Sequence, residues 1–153
     1  MKYIVSACLA GHKCRYDGGS RLDERIIRLV KAGDAIPVCP EGLSGLPVPR
    51  PPAEQRGSRM IDRDGRDVTE YFLLGGQRAF RIAERSGCKR AILKARSPSC
   101  GVGKIYDGSF TGTLCEGNGI FADLLLKAGF ELFDEDTWDE ELCSVRDNSA
   151  SDI

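Results

Sequence analysis

The chain has one histidine, one tryptophan and few aromatic residues of any kind, 7% in all. So sparse a set of rings argues against a surface that reads nucleic acid by stacking successive bases. No stretch approaches the ~18–20 consecutive apolar residues of a membrane-spanning helix, so no membrane role is expected. The apolar start Y-I-V-S-A-C is broken at Gly11, His12 and Lys13, too short and without a convincing cleavage site for a signal peptide. No C-x-x-C pair occurs, which removes the paired knuckles of a structural zinc site. Six positions after Cys8 stands Cys14, not Arg, which removes a C-x5-R phosphatase loop. An excess of charge is missing as well: 22 Lys+Arg face 23 Asp+Glu.

What is present is ordinary for a globular domain, with 41% hydrophobic and 29% charged residues. The length of 153 residues fits one domain, expected over 1–148 with a frayed terminus at 149–153. A chain of this size buries roughly 68–70% of its unfolded surface, enough for a core that needs no covalent staple. The near-zero net charge hides a split. Residues 1–104 hold 20 Lys+Arg against 11 Asp+Glu, and residues 105–153 hold 2 against 12. The basic part could attract an anionic substrate, or the acidic part could pack beside it and neutralise it. Seven cysteines are unusual. An odd count argues against a disulfide framework and suits a cytoplasmic chain whose thiols stay reduced for metal binding or thiol chemistry.

Short apolar runs at 3–8, 35–39, 90–95 and 130–133 read as strands, with Pro37 favouring an edge position or a strand start for the second. Leu22, Ile26, Leu29 and Val30 recur at helical spacing, predicting a helix over 21–32 that starts from Ser20 and Asp23 and stops at Gly33. A second helix opens at Asp67–Glu70 and ends at Gly87, its Gly75–Gly76 pair requiring close packing or a kink. A third covers 118–128, and an acidic one lies near 135–143. Five prolines between Pro40 and Pro52 forbid regular helix there, and no period survives from 40 to 57. Residues 105–114 suggest a hairpin or extended loop through Asp107–Gly108. The alternation predicts an α/β fold, Rossmann-like, with a mainly parallel sheet flanked by helices.

In such folds ligands bind outside the carboxyl ends of the strands. Cys8 and Cys39 close the first two strands and Cys100 follows the third, so three thiols from distant positions converge on one sheet edge. Cysteine is also a small buried hydrophobe, the better reading for Cys88, Cys115 and Cys143. For the converging three, metal binding is the sharper one. Zinc would need a fourth ligand, for which His12 and Cys14 are available. Widely spaced cysteines also hold iron–sulfur clusters, where four serve electron transfer and three leave one iron open. Glu41, two residues after Cys39, is a candidate general acid or base if it lies partly dry with a raised pKa. Ser97 or Ser99 could hydrogen-bond a substrate or cap a turn, and Ser6 shares the face of Cys8.

The segments S-A-C-L-A-G-H-K-C-R-Y-D-G-G (6–19), V-C-P-E-G-L-S-G-L-P-V-P-R-P-P-A-E (38–54) and L-K-A-R-S-P-S-C-G (93–101) together resemble the thiouracil desulfidase (TudS-like) family. The resemblance spans nearly the whole chain. It implies a [4Fe–4S] cluster held by Cys8, Cys39 and Cys100 with one open iron, a catalytic Glu41 and a substrate-orienting Ser97. It further implies a non-redox desulfuration of 2- or 4-thiouracil or a thiouridine derivative to uracil and sulfide, the substrate sulfur binding the open iron. A free base, a nucleotide and a thiolated tRNA are all admissible substrates. Two other classes compete. One is a four-ligand iron–sulfur electron-transfer or sensor protein that recruits Cys14. The other is a zinc-stapled RNA-binding module using Arg50, Arg56, Arg59, Lys94 and Arg96.

Overall fold

The structure, a computed structural model, describes residues 2–140. In chain order its elements are strand β1 (Tyr3–Ser6), helix α1 (Glu24–Lys31), β2 (Ala35–Val38), β3 (Ala53–Arg56), β4 (Arg59–Asp62), helix α2 (Thr69–Ser86), β5 (Arg90–Leu93), β6 (Lys104–Tyr106), β7 (Leu114–Glu116), helix α3 (Ile120–Lys127) and β8 (Glu131–Asp134). The expected helix near 135–143 starts as a turn in which Asp134 Oδ1 accepts the N–H groups of Asp136 and Thr137. Its remainder, Cys143 and the 149–153 terminus lie outside the described residues.

Four strands form one parallel sheet in the order β2-β1-β5-β8, which is the α/β fold the alternation predicts. A sheet with helices on both faces buries its strands twice. In β1, Ile4 enters the core beneath α2 and α3, with Leu93, Phe121 and Leu125. Its neighbours Tyr3 and Val5 enter the core on the α1 side with Ile26, Ile92 and Trp138. Period-two alternation of side chains explains the split. Pro37, opposite Val5, sits on the edge strand β2, where its missing N–H costs no ladder bond.

Several boundaries differ from the sequence reading for identifiable reasons. The first strand ends at Ser6, and Ala7–Ala10 coil into a 3-10 turn, so Cys8 lies in that turn and does not close the strand. Helix α1 begins three residues late. Arg21 and Asp23 donate their N–H groups to Cys8 O and Leu9 O, which holds 21–23 extended along that turn and leaves Leu22 54% exposed. Asp23, not Ser20, is the cap, accepting the Arg25 N–H at 3.0 Å. Helix α2 is delayed to Thr69 because 66–68 run beside β4, with Val68 N–H donating to Met60 O.

The segment read as aperiodic to residue 57 contains half of an antiparallel hairpin, β3–β4, turning at Gly57. The hairpin or extended loop expected at 105–114 is a second hairpin, β6–β7, which closes through seven residues from Asp107 to Thr113. The Gly75–Gly76 pair is explained by close packing. A Cβ at Gly75 would stand 2.1 Å from Pro40 O, so the helix backbone presses on the turn that follows Cys39.

Candidate active site

The order β2-β1-β5-β8 reverses direction between β1 and β5. The connection leaving β1 leads to α1 on one face, and that leaving β5 leads to α3 on the other. A crevice opens where such connections part. Cys8 follows β1 and Cys100 follows β5, so both stand at this switch point, and Cys39 leaves the adjacent β2. All three line one cavity of about 470 Å³ together with Ser6, Cys14, Glu41, Ser97 and Ser99. The candidate ligands and catalytic residues of the sequence reading, with one exception, therefore line the same cavity. His12 is the exception: it is exposed and does not line the cavity.

Each thiol is held differently. Burial pushes Cys8 up to about 11, the charge of Cys39 adding to the effect and Lys94 opposing it. Burial also raises Cys100, against a hydrogen bond from Ser6. Cys39 is lowered to about 7, first by a hydrogen bond with the Cys14 thiol and then by the Gly42 N–H, which donates to its sulfur at 3.2 Å. Cys14, as the partner that keeps its proton, is raised. The thiols surround a space and do not converge on a point. Among the described residues, no group of three or more His, Cys, Asp or Glu side chains is placed to hold a single metal ion.

The Cys100 loop is shaped by its serines. Ser97 Oγ accepts the N–H groups of Ser99 and Cys100 at 3.2 and 3.1 Å, a turn cap made with the oxygen alone. The first N–H groups of α3, unsatisfied within the helix, donate to Pro98 O and Ser99 O. Gly119 allows this approach, since a Cβ there would lie 2.3 Å from Ser99 C. Ser6 Oγ accepts the Lys94 N–H at 2.8 Å, tying the ends of β1 and β5 together.

Glu41 lies partly dry, as expected from its position, with its side chain 16% exposed, and it is paired. Arg50, whose side chain is 3% exposed, places Nη2 2.6 Å from Glu41 Oε2 and 2.9 Å from Cys14 O. One guanidinium thus fixes both the carboxylate and the Cys14 loop. This role of Arg50 is missed by the sequence reading, which names it only within the competing RNA-binding class. The remaining candidates for an RNA face are also engaged within the molecule. Arg56 donates to Gly108 O, Arg59 pairs with Asp67, Lys94 with Glu135 and Arg96 with Asp136. The last two pairs show acidic residues after 104 neutralising the basic part. Cys88 is buried in the core, as expected of a packing cysteine, whereas Cys115 on β7 is exposed.

The roof of the cavity comes from the two hairpins. Ala53 and Glu54 of β3 line it, as do Tyr106, Phe110 and Gly112. Gln55 Nε2 joins this roof to the Cys100 loop by donating to Pro98 O and Asn118 O.

A parallel α/β sheet with three thiols and a guanidinium-held carboxylate at its switch point defines an enzyme with a thiol-lined site. The sequence profile of the 2-thiouracil desulfurase family matches residues 3–137, and the chain belongs to that family. It is 38% identical over 142 residues to the uncharacterized protein YbbK of Bacillus subtilis (strain 168), covering 86% of this chain and 94% of that one. It is also similar to a solved structure named [4Fe-4S]-dependent thiouracil desulfidase TudS, at 43% identity and a TM-score of 0.83, over 88% of this chain and 91% of the other.

Proposed function

We propose that this enzyme hydrolyses the C=S bond of thiolated pyrimidines, 2- or 4-thiouracil or their thiouridine derivatives, at a [4Fe–4S] cluster held by Cys8, Cys39 and Cys100. One observation carries the reading: three thiols from three strand ends meet Glu41 and Ser97 around a single cavity. The donor set fits the group, since soft thiolates favour iron–sulfur clusters and the space between them suits a group of several atoms. When bound through three cysteines, the cluster supplies a Lewis-acidic iron with an affinity for the substrate's soft sulfur.

The reaction needs no electron donor. The oxygen of water replaces sulfur on the ring carbon, and both hydrogens of that water leave with the sulfide. Glu41 moves the proton between water and ring, its Oε2 held by Arg50. Ser97 Oγ spends its acceptor capacity on Ser99 and Cys100 N–H groups, so its hydroxyl hydrogen is left to donate to the substrate. A cytoplasmic setting suits the six free cysteines among the described residues.

Cys14 favours a second reading. It lines the same cavity and is hydrogen-bonded to Cys39, so a four-thiolate electron-transfer cluster is the rival. Anaerobic reconstitution followed by 2- or 4-thiouracil separates the two. The desulfidase reading expects a brown protein that bleaches the thiocarbonyl absorbance and releases uracil and sulfide in equal amounts. A brown protein that leaves every thiopyrimidine intact favours electron transfer, and a colourless one that binds only zinc contradicts both.

A further inference from the structure

The roof carries an aromatic side chain in a backbone conformation that does not suit it. Phe110 has φ +58°, a region that a bulky L-residue enters at a cost in free energy and glycine enters freely. The same loop supplies glycine where left-handed backbone is wanted, at Gly108 and Gly112. At 110 it keeps a phenyl ring. Such an outlier points to function when the surroundings hold it in place, and here they do. Glu54 Oε1 accepts the N–H groups of both Gly108 and Phe110, at 3.0 and 3.1 Å. Arg56 Nε donates to Gly108 O at 2.8 Å, and Asp107 Oδ1 accepts the Ser109 N–H at 2.9 Å. The ring is half-buried, lines the cavity and has the Arg63 guanidinium 5.9 Å from its centroid. It is thus a preorganised apolar face on the wall of a cavity whose floor carries the thiols.

We infer that Phe110 is the specificity-determining residue that stacks on the pyrimidine ring of the substrate, with Glu54 as the positioning residue that holds the loop. The inference rests on the desulfidase reading and adds how the base is recognised. A flat heterocycle gains from an offset aromatic face, and a ring ordered beforehand loses little freedom on binding. In a chain so poor in aromatics, a strained one on the cavity wall is better explained by recognition than by packing.

The test measures kcat and KM for 4-thiouracil and 2-thiouracil, inhibition by uracil, and thermal melting. The variants are Phe110→Ala, Phe110→Leu, Phe110→Tyr, Phe110→Gly and Glu54→Gln. Loss of a stacking ring is expected to raise KM about tenfold or more in the Ala, Leu and Gly variants, weaken uracil inhibition in parallel and leave kcat within about twofold. Tyr should restore binding, because it keeps the aromatic face, whereas Leu keeps only the bulk. Phe110→Gly should melt within a few degrees of wild type, since glycine relieves the backbone at 110. Glu54→Gln should raise KM less than the Ala variant does. The inference is overturned if Leu binds as well as Phe, or if KM rises only in variants whose melting collapses with it. Should the wild type desulfurise no thiopyrimidine, the underlying reading fails too. Normal turnover with an unchanged KM in Phe110→Ala sinks the stacking alone.

Discussion

The floor of the cavity and its roof are built by different kinds of structure. The floor is the carboxyl edge of a parallel sheet, whose buried strands are fixed by ladder bonds and by two apolar cores. The roof is a pair of short antiparallel hairpins, held by side-chain bonds such as those of Glu54, Arg56 and Gln55. Cysteines from distant parts of the chain sit on the floor, while Phe110, the proposed substrate contact, sits on the roof. On the proposed reading, reactivity belongs to the part that strand pairing makes rigid. Recognition is left to a part that can vary without unfolding the sheet.

That division can be broken first at Glu41. Glu41→Gln is expected to lower kcat by about 10²–10⁴-fold, the usual worth of a positioned acid–base group, with iron content unchanged. An undiminished kcat would move the proton transfer elsewhere. The support of the floor comes next. A Cβ at Gly75 meets backbone, Pro40 O at 2.1 Å, so Gly75→Ala must displace the turn after Cys39. Overpacking of this kind costs about 1–3 kcal/mol, and both the melting temperature and the bound iron should fall. Gly76→Ala is the control, because its contact at 3.0 Å is the Ile120 side chain, which can yield.

The smallest effect lies beside the floor, where the Cys8 turn feeds α1. Losing the Asp23 cap in Asp23→Ala should cost about 1 kcal/mol without touching kcat. The hydrogen bond from Arg25 holds the Asp23 carboxyl below its ordinary value. Its stabilisation is therefore complete above the ordinary carboxylate range and lost as pH falls through the depressed value. Thermal melts of wild type and variant should differ at neutral pH and draw together in acid. A gap that does not narrow as the pH falls below the ordinary carboxylate range would contradict the charge-based part of the cap.

Most of the floor was legible in the sequence. Apolar runs ending in Gly or Pro chemistry mark β1, β2 and β5, and cysteine positions near those ends bring Cys8, Cys39 and Cys100 together. Exact strand ends were not legible, because the 3-10 turn at Cys8 depends on contacts with residues 21–23. The roof was less legible. A-E-Q-R in β3 has no apolar alternation, and β6 and β7 have three residues each, too few to show a period. The pairing of Arg50 with Glu41 crosses a proline-rich loop that no helical or strand spacing governs. Cys14 is legible as a rival ligand, but its contact with Cys39 depends on a loop that Arg50 holds at Cys14 O and Tyr16 O.

The central claim is that Cys8, Cys39 and Cys100 hold the cluster and that Cys14 does not. The most direct measurement is iron and acid-labile sulfide per chain after anaerobic reconstitution of the wild type and of Cys8→Ser, Cys14→Ser, Cys39→Ser and Cys100→Ser. The account predicts about four irons in the wild type and in Cys14→Ser, and loss of most of them in the other three. A Cys14→Ser protein as empty as the others would contradict it, making the site a four-thiolate centre.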